Sequence, residues 1–263
     1  MTKMKRYGLI GFPLGHSFSA GYFADKFAAL GAQDEYVYEN FPMEHVGQLR
    51  TALPADLLGF NVTIPHKRNI LPLLSEIDPE AQAVGAVNCV KVLPDGSYKG
   101  YNTDIYGFEA SLRKMLAARQ EPFASLKALV LGTGGAAQAV HHVLRKLGIG
   151  YVEVSRTACG PQRIGYEQLT PEMMAVHRLI VNTTPLGMYP DTAAKAPLPY
   201  DSIGTGHYLY DLIYNPAETA FLREGRIRGA WVKSGLEMLV LQAERSWEIW
   251  NEQENGNTSV SRI

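Results

Sequence analysis

The sequence predicts an α/β fold divided between two domains, and three observations support this prediction. Short apolar runs alternate with amphipathic stretches from the first residues onward, which is typical of β-α units around a largely parallel sheet. The alternation restarts after a polar, proline-containing stretch at residues 119–122. A length of 263 residues exceeds the usual size of one core and is short for three domains. We therefore place the domain change within residues 104–125.

The first half is predicted to hold three strands, three helices and a hairpin. Apolar runs indicate strands near residues 6–12, 36–41 and 58–63. Amphipathic stretches indicate helices near residues 18–30, 44–53 and 67–76. Strand-like segments at 86–92 and 97–102 flank Pro94-Asp-Gly96, and an Asp-Gly turn in that setting predicts a hairpin.

The second half repeats the β-α pattern. A helix from about residue 104 to 118 leads to a strand at 127–131. Further strands are predicted near residues 151–155, 178–182, 207–213 and 230–232. The stretch 236–250 is strongly helical with an apolar face that suggests docking onto the body, and residues 254–263 are predicted to be frayed.

Composition excludes several classes of protein. With 46% hydrophobic and 19% charged residues, the chain should form ordinary globular cores. A net charge of −1 argues against binding to nucleic acid or an anionic membrane surface. Cys89 and Cys159 lie far apart without metal-type spacing, which favours a reducing compartment and no metal site. Pro13 interrupts the early apolar run before it reaches signal-peptide length, so we predict a cytoplasmic protein.

A glycine-rich motif in the second half predicts a dinucleotide site. The strand-like residues 128–131 are followed at once by Gly132-Thr-Gly-Gly-Ala-Ala137 and then by a helical stretch. In this G-x-G-x-x-A pattern, Gly132 permits a tight turn and Gly134 lets the backbone approach a pyrophosphate. The small Ala137 allows close helix–strand packing, and the helix N-terminus faces the anion. The alternative is an ordinary glycine turn, which the flanking strands and helix disfavour.

The end of the following strand favours NADP over NAD. An NAD site places an acidic residue on the adenosine ribose at this point, whereas this strand ends in Ser155-Arg-Thr157. The Arg156 guanidinium suits a 2′-phosphate. Glu153 lies two residues earlier, and no second cation follows until Arg163. The alternative is that Arg156 is a solvated surface residue.

Two polar segments in the first half carry candidate catalytic groups. Asn61-Val-Thr-Ile-Pro-His-Lys67 closes a strand, and Asn102-Thr-Asp104 opens a helix. Taken singly, Asn61 and Thr63 have an alternative as turn formers, Lys67 as a solvated helix residue and Asp104 as a helix N-cap.

Together, these segments give the chain a resemblance to the shikimate dehydrogenase family over nearly its whole length. The resemblance rests on nine motifs in the family's order: Gly11-Phe-Pro-Leu-Gly-His-Ser-Phe-Ser19, Asn61 to Lys67, Gly85-Ala-Val-Asn88, Gly100-Tyr-Asn-Thr-Asp104, Gly132 to Ala136, Ser155-Arg-Thr157, Asn182-Thr-Thr-Pro-Leu-Gly-Met188, Asp211-Leu-Ile-Tyr-Asn-Pro216 and Gly235 to Gln242. Nine ordered motifs make coincidence a poor explanation.

The resemblance implies an N-terminal α/β substrate domain at 1–104, completed by a helix at 236–252, and a Rossmann-type domain at 105–235, with substrate in the cleft. It implies NADP-dependent interconversion of 3-dehydroshikimate and shikimate, with Lys67 and Asp104 as the catalytic pair. Implied substrate-binding residues are Ser17, Ser19, Asn61, Thr63, Asn88, Tyr214 and Gln242. Implied cofactor-binding residues are Gly132, Thr133, Gly134, Gly135, Ala136, Ala137, Ser155, Arg156, Thr157, Thr183, Met188, Leu212 and Gly235.

The chemistry accounts for these residue types. Reducing a ketone requires a hydride on one face of the carbonyl and a proton for the developing alkoxide. A lysine is protonated at neutral pH, so it can donate that proton and stabilise the oxyanion. Asp104 would orient the lysine, and oxidation should accelerate as pH rises because the lysine must then accept a proton.

Two other functions stay open. Relatives that oxidise quinate use NAD or NADP, so a quinate/shikimate dehydrogenase is the nearest alternative. A non-catalytic metabolite sensor that keeps the fold is more remote, because Lys67 and Asp104 are both present. The predicted partners are the small-molecule substrate and cofactor, without nucleic acid or membrane, and the chain is predicted to be a monomer or homodimer.

Overall fold

The computed structural model describes residues 4–14, 18–157 and 160–252. The chain divides into two compact units, and each unit contains one six-stranded sheet. The first unit consists of Met1–Ile77, Val87–Tyr101 and Ala243–Ile263, and the second consists of Asp78–Ala86 and Asn102–Gln242. Within the part of the chain described, no helix combines the length and apolar character needed to span a membrane.

The first unit is built around a mixed sheet. Its strands are β1 (Lys5–Gly11), β2 (Tyr36–Pro42), β3 (Leu57–Val62), β4 (Glu76–Ile77), β5 (Cys89–Val92) and β6 (Tyr98–Tyr101), in the order β2-β1-β3-β5-β6-β4. The parallel strands β2, β1 and β3 are joined through helices α1 (Phe18–Ala29) and α2 (Leu49–Ala52), and α3 (His66–Asn69) follows β3. The antiparallel hairpin of β5 and β6 extends the sheet, as its Asp-Gly turn predicts.

Two helices predicted in this unit are much shorter in the structure. The predicted helix at 44–53 is a 3₁₀ turn followed by the four residues of α2, and that at 67–76 is α3 followed by another 3₁₀ turn. Pro54 ends the first at its predicted boundary, because the preceding Leu53 adopts extended dihedral angles (φ −90°, ψ 143°), and the shortening lies at the N-terminal side, where residues 46–48 form the 3₁₀ turn. Pro72 explains the second, because it lies at the start of the 3₁₀ turn and has no N–H for a continuing α-helix.

The second unit is a doubly wound α/β sheet. Its strands are β7 (Lys127–Leu131), β8 (Gly150–Ser155), β9 (Arg163–Gly165), β10 (Leu179–Asn182), β11 (Tyr208–Asp211) and β12 (Trp231–Lys233). All five pairings are parallel, in the order β12-β11-β10-β7-β8-β9. This is the Rossmann strand order, whose topological switch point lies between β7 and β10.

The described residues contain six further helices. They are α4 (Pro79–Val84), α5 (Thr103–Ala117), α6 (Gly135–Lys146), α7 (Pro171–Val176), α8 (Ala220–Ile227) and α9 (Leu236–Asn251). The division into units crosses α9 after Gln242. Strand β9 and helices α4, α7 and α8 are absent from the sequence prediction, because each is too short to show a clear hydrophobic period. The three helices do have residue types that favour N-caps: Asp78, Thr170 and Thr219 each accept a hydrogen bond from a first-turn N–H.

The C-terminal part of α9 completes the aromatic core of the first unit. The Trp250 ring stacks on that of Tyr7 with centroids 4.9 Å apart. Its Nε1 donates a hydrogen bond of 2.9 Å to the Val90 carbonyl oxygen. Gly59 is required for this fit, because a Cβ there would overlap the indole ring. Phe23 and Phe27 of α1 belong to the same buried cluster.

Candidate active site

The switch point of the second sheet is closely packed by the residues that follow its two central strands. Gly132 follows β7 and has φ +102°, which favours glycine. A Cβ on Gly132 would lie 2.8 Å from the Thr183 Oγ1, so a larger residue would displace the loop after β10. The Thr183 hydroxyl donates a 2.6 Å hydrogen bond to the Leu131 carbonyl oxygen. The glycine turn therefore lies at the edge where a doubly wound sheet binds its ligands.

The N-terminus of α6 is open to an anion. Gly134 is its N-cap, and no side chain in the described residues caps this end. Residues 133–136 are exposed, whereas Ala137 is fully buried against the sheet. The uncapped first-turn N–H groups and the helix dipole together suit a pyrophosphate. This arrangement fits the dinucleotide prediction.

The end of β8 offers a cation and no available acidic group. Arg156 and Thr157 are exposed, and the Ser155 hydroxyl is used locally, in a 2.6 Å hydrogen bond to the Thr157 carbonyl oxygen. The Glu153 carboxylate pairs with the Arg163 Nε at 2.5 Å and lies 3.4 Å from the His141 Nδ1. The Glu153 side chain is only 14% exposed. The one acidic residue that could have indicated NAD is therefore already paired within the protein.

His141 itself is buried, and its ring stacks on Tyr151 with centroids 4.6 Å apart. Burial lowers the pKa of this imidazole below its usual value, and the Glu153 carboxylate opposes the effect.

The loops after β10 and β11 meet near this edge of the sheet. The Leu212 N–H donates to the Asn182 carbonyl oxygen at 3.0 Å. Gly235 lies so close to this turn that a Cβ there would overlap the Leu212 carbonyl oxygen. Met188 and Tyr214, one in each loop, are exposed. Backbone contacts within the second unit therefore place Leu212 beside Gly235 and beside the end of β10.

Asp211 organises these loops and was not identified as a site residue from the sequence. Its Oδ1 accepts hydrogen bonds from the Asn182 Nδ2 at 3.0 Å and the Ile213 N–H at 3.1 Å. Its Oδ2 accepts a 2.6 Å hydrogen bond from the Thr219 hydroxyl. Burial raises the pKa of Asp211 to about 6, although these hydrogen bonds oppose the rise. Its position as the last residue of an otherwise apolar strand was the available signal.

In the first unit, Asn61 is buried at the end of β3 and is held by three partners. Its Nδ2 donates to the Asn88 carbonyl oxygen at 3.2 Å and to the Ser246 Oγ at 2.9 Å. Its Oδ1 accepts a 2.9 Å hydrogen bond from the Tyr38 hydroxyl. Because both amide hydrogens are used within the protein, a ligand contact by Asn61 would use the second lone pair of Oδ1.

Other predicted substrate-binding residues of this unit are connected to Asn61 by hydrogen bonds or are close to it in sequence. Ser19, in the first turn of α1, hydrogen-bonds to Tyr38; burial raises the pKa of that phenol, and the Ser19 contact lowers it. Thr63 is half-buried directly after β3, and Asn88 is buried directly before β5. Ser17 lies outside the described residues.

The predicted catalytic residues each lie in the first turn of a helix. Lys67 of α3, in the first unit, is half-buried, and its carbonyl oxygen accepts from the Val87 N–H at 2.8 Å. Asp104 of α5, in the second unit, is also half-buried. Asn102 is the N-cap of α5, since its side chain accepts from the Ile105 N–H at 3.3 Å. The alternative interpretation of Asp104 as the N-cap is therefore wrong.

Gln242, the remaining predicted substrate ligand, belongs to the second unit. It is buried in α9, and its Oε1 accepts a 3.3 Å hydrogen bond from the Thr103 hydroxyl. Gly107 of α5 makes this approach possible, because a Cβ there would lie 2.5 Å from the Met238 carbonyl oxygen. The start of α5 and the start of α9 are thus packed backbone to backbone beside Asp104.

Comparisons with known proteins agree with the architecture of both units. The family model for the shikimate dehydrogenase substrate binding domain matches residues 9–90. The shikimate dehydrogenase (NADP(+)) of Shouchella clausii is 37% identical over 98% of this chain and 97% of its own. A crystal structure of shikimate 5-dehydrogenase from Thermus thermophilus, in complex with NADP(H) and shikimate, is 34% identical with a TM-score of 0.79, covering 94% of each chain.

A third relative was crystallised with a different cofactor. The shikimate 5-dehydrogenase of Listeria monocytogenes, in complex with shikimate and NAD, is 27% identical with a TM-score of 0.81, covering 96% of this chain and 93% of its own. The similarity therefore extends across both sheets.

Proposed function

The chain belongs to the shikimate dehydrogenase family, and we propose that it catalyses the reversible, NADP-dependent reduction of 3-dehydroshikimate to shikimate. This oxidoreductase reaction belongs to the pathway that leads to chorismate and the aromatic amino acids. The observation that carries the proposal is the doubly wound second unit, with Gly132 at its switch point and Arg156 at the end of β8. The engaged Glu153 carboxylate supports NADP rather than NAD.

The cofactor is proposed to lie along the ends of β7, β8, β10 and β11. The glycine turn and the open end of α6 would hold the pyrophosphate, and Ser155, Arg156 and Thr157 would hold the adenosine 2′-phosphate. Thr183, Met188, Leu212 and Gly235 would line the nicotinamide half. When bound, NADPH supplies the hydride that reduces the ketone.

The remaining residues are proposed to bind the substrate and move its proton. Lys67 donates a proton to the developing alkoxide and stabilises its charge, and Asp104 orients the ammonium group. Ser17 and Ser19 bind the carboxylate through hydroxyl donors. The further substrate contacts are assigned to Asn61, Thr63, Asn88, Tyr214 and Gln242, with Asn61 acting through its Oδ1.

Two finer proposals concern the setting of the reaction. A biosynthetic reduction that draws on NADPH supports a cytoplasmic location. We propose a monomer or homodimer, which analytical ultracentrifugation of the purified chain would distinguish; a larger assembly would contradict it.

The test is a spectrophotometric assay of the purified protein with shikimate and NADP, following NADPH absorbance. Lys67→Ala should lower kcat by roughly 10²- to 10⁴-fold, because a general acid-base group is removed. Arg68→Ala is the matched control, since Arg68 is an exposed cation of the same helix, and its activity should stay near wild type.

Three outcomes would contradict the proposal in different ways. Equal or better activity with quinate or NAD would make the protein a quinate/shikimate dehydrogenase. Equal loss in Arg68→Ala would show that the effect is not specific to Lys67. A folded protein that binds shikimate without turnover would indicate a metabolite sensor.

A further inference from the structure

We propose that Asp211 is a positioning residue that fixes the two loops assigned to the nicotinamide half of NADP. The loops are the 183–188 loop, which follows β10, and the 212–219 loop, which follows β11. The inference rests on the proposed function, because that assignment gives the loops their ligand. Asp211 is not proposed to touch the cofactor or substrate.

The first argument is how completely the carboxylate is used. Asp211 is fully buried, and its two oxygens accept from donors in three separate places: a strand end, a loop backbone and a helix cap. A buried carboxylate is costly unless such donors satisfy it. A residue retained at that cost, at the edge of the sheet where loops diverge, serves to hold those loops in one arrangement.

The second argument is that the restraint passes through Asn182 into the 183–188 loop. Asn182 donates to Asp211 at 3.0 Å, which turns its Oδ1 toward the loop. That Oδ1 accepts from the Thr184 N–H at 3.1 Å and the Thr184 hydroxyl at 2.7 Å. The Leu186 N–H in turn donates to the Thr184 Oγ1 at 3.3 Å. The carboxylate thus fixes the amide orientation on which the first turn of this loop depends.

The third argument is that Thr219 links the two loops. Its hydroxyl donates to Asp211 at 2.6 Å and accepts from the Leu222 N–H at 3.3 Å, so Asp211 also fixes the cap of α8. Gly187 of the other loop has φ +95° and lies against this threonine, because a Cβ on Gly187 would be 3.3 Å from the Thr219 Cβ. Movement of the Thr219 side chain would therefore shift Gly187 and the backbone next to Met188.

The position calls for a carboxylate rather than an amide. All three neighbours donate hydrogen, and a carboxylate is an acceptor at every lone pair. Asparagine has the same shape, but its NH₂ group would face one of those donors and leave that partner unsatisfied. Asp211→Asn therefore tests the hydrogen-bond pattern with little change in volume.

The experiment compares the binding of two ligands to the full-length protein by isothermal titration calorimetry. NADP contains the nicotinamide half, whereas 2′,5′-ADP contains only the adenosine half. In Asp211→Asn the affinity for NADP should fall about 10-fold, because hydrogen bonds to a charged group are lost. The affinity for 2′,5′-ADP should stay within about twofold of wild type, because the α6 and β8 contacts are unchanged.

Two threonine variants provide a second line of evidence and a matched control. Thr219→Val removes the donor to Asp211 and should give the same selective loss of NADP affinity. Thr170→Val removes an N-cap of the same type, at α7, whose hydroxyl accepts from the Met173 N–H at 3.3 Å. Thr170→Val should lose stability without changing the ratio of the two affinities. If Asp211→Asn does not fold, Thr219→Val decides the question.

The outcomes separate this inference from the proposed function. If the wild type binds neither ligand, the proposed function fails. If the wild type binds both and the Asp211 and Thr219 variants keep their NADP affinity, the positioning role is overturned. An equal loss of both ligands in those variants also overturns it, since the damage would then extend beyond the two loops.

Discussion

Arg156 is the only cation in residues 155–162, so the 2′-phosphate proposed to bind at the end of β8 would depend on this one side chain for a positive charge. Arg156→Ala should raise the KM for NADP by roughly 10- to 100-fold, the usual cost of losing a hydrogen bond to a charged group. The KM for NAD should hardly change, because NAD lacks the phosphate. Steady-state kinetics with both cofactors provide the measurement.

Arg163 serves as the control for Arg156. Its guanidinium is paired with the Glu153 carboxylate at 2.5 Å, so Arg163→Ala should leave the ratio of kcat/KM values for NADP and NAD near that of the wild type. A loss of NADP preference as large as in Arg156→Ala would show that Arg163 also holds the phosphate.

Asp211 should make stability depend on pH in an unusual direction. Burial raises its pKa in the folded protein from 3.8 to about 6, so the native state holds the proton more tightly than the unfolded chain does. The resulting stabilisation is fully present below pH 4 and is lost as pH rises through about 6. At 1.36 kcal/mol per pH unit the loss is about 3 kcal/mol.

Urea unfolding of the wild type and Asp211→Asn at pH 4.5 and pH 7.5 would check this value. The difference between the two proteins isolates Asp211 from the other titrating groups. The wild type should lose stability relative to the variant by most of that amount between the two pH values. A constant difference would show that Asp211 is ionised in the folded protein throughout this range.

Residue types at motif positions could be predicted from sequence, whereas the partners of those residues could not. The glycine turn and Arg156 follow from the order strand, glycines, helix and strand. Asp211, Asn182 and Thr219 are scattered over 38 residues and become a group only when β10 and β11 pair. The use of both Asn61 amide hydrogens by Asn88 and Ser246 likewise depends on contacts distant in sequence. The roles assigned to Lys67, Asp104 and the other site residues stay predictions.

At the scale of elements, the junction between β12 and α9 depends on Gly235. A Cβ there would overlap the Leu212 carbonyl oxygen, and backbone cannot move aside as a flexible side chain can. Gly235→Ala should therefore lower the free energy of unfolding by about 1–3 kcal/mol, as for other overpacked sites. Gly204→Ala is the control, because a Cβ at Gly204 would meet nothing within 4 Å. Equal effects in urea denaturation would contradict the steric explanation.

Strands were easier to predict than helices in this chain, for a physical reason. The buried strands β7, β10 and β11 are nearly continuous apolar runs, since helices cover both faces of a doubly wound sheet. Helix α3 ends early because of Pro72, and the residues beyond that proline imitate a longer helix, whereas α2 is shorter because residues 46–48 before it form a 3₁₀ turn. The short α7 and α8 are better indicated by their threonine caps than by periodicity.

At the scale of the whole molecule, each unit has its own sheet and core, so damage to one core should stay local. Trp250 is 6% exposed in the aromatic cluster of the first unit. Trp250→Ala should cost about 3–5 kcal/mol, the range for large aromatic deletions. Hydrogen exchange followed by mass spectrometry should show faster exchange in β1, β3 and β5 and little change in β7, β10 and β11. Uniform acceleration in both sheets would contradict independent cores.

Each unit is made of separate segments of the chain, so a single boundary in the sequence cannot divide the two units. Residues Asp78–Ala86 lie between two segments of the first unit, yet they group with the second. Val84 of α4 shows the cause, because it packs against the cluster that contains Ile105 and Phe108 of α5. The sequence pattern identifies α/β units and a glycine turn, but it does not show which core a short helix such as α4 packs against.

The interrupted path of the first unit has a consequence for synthesis on the ribosome. Its sheet is translated early, but Trp250 and its neighbours in α9 are among the last described residues to emerge. Tyr7 of β1 and Phe23 of α1 therefore lack the Trp250 ring while the second unit is synthesised. Vectorial folding usually completes the N-terminal domain first; in this protein the N-terminal unit can be completed only after the end of α9 has been made.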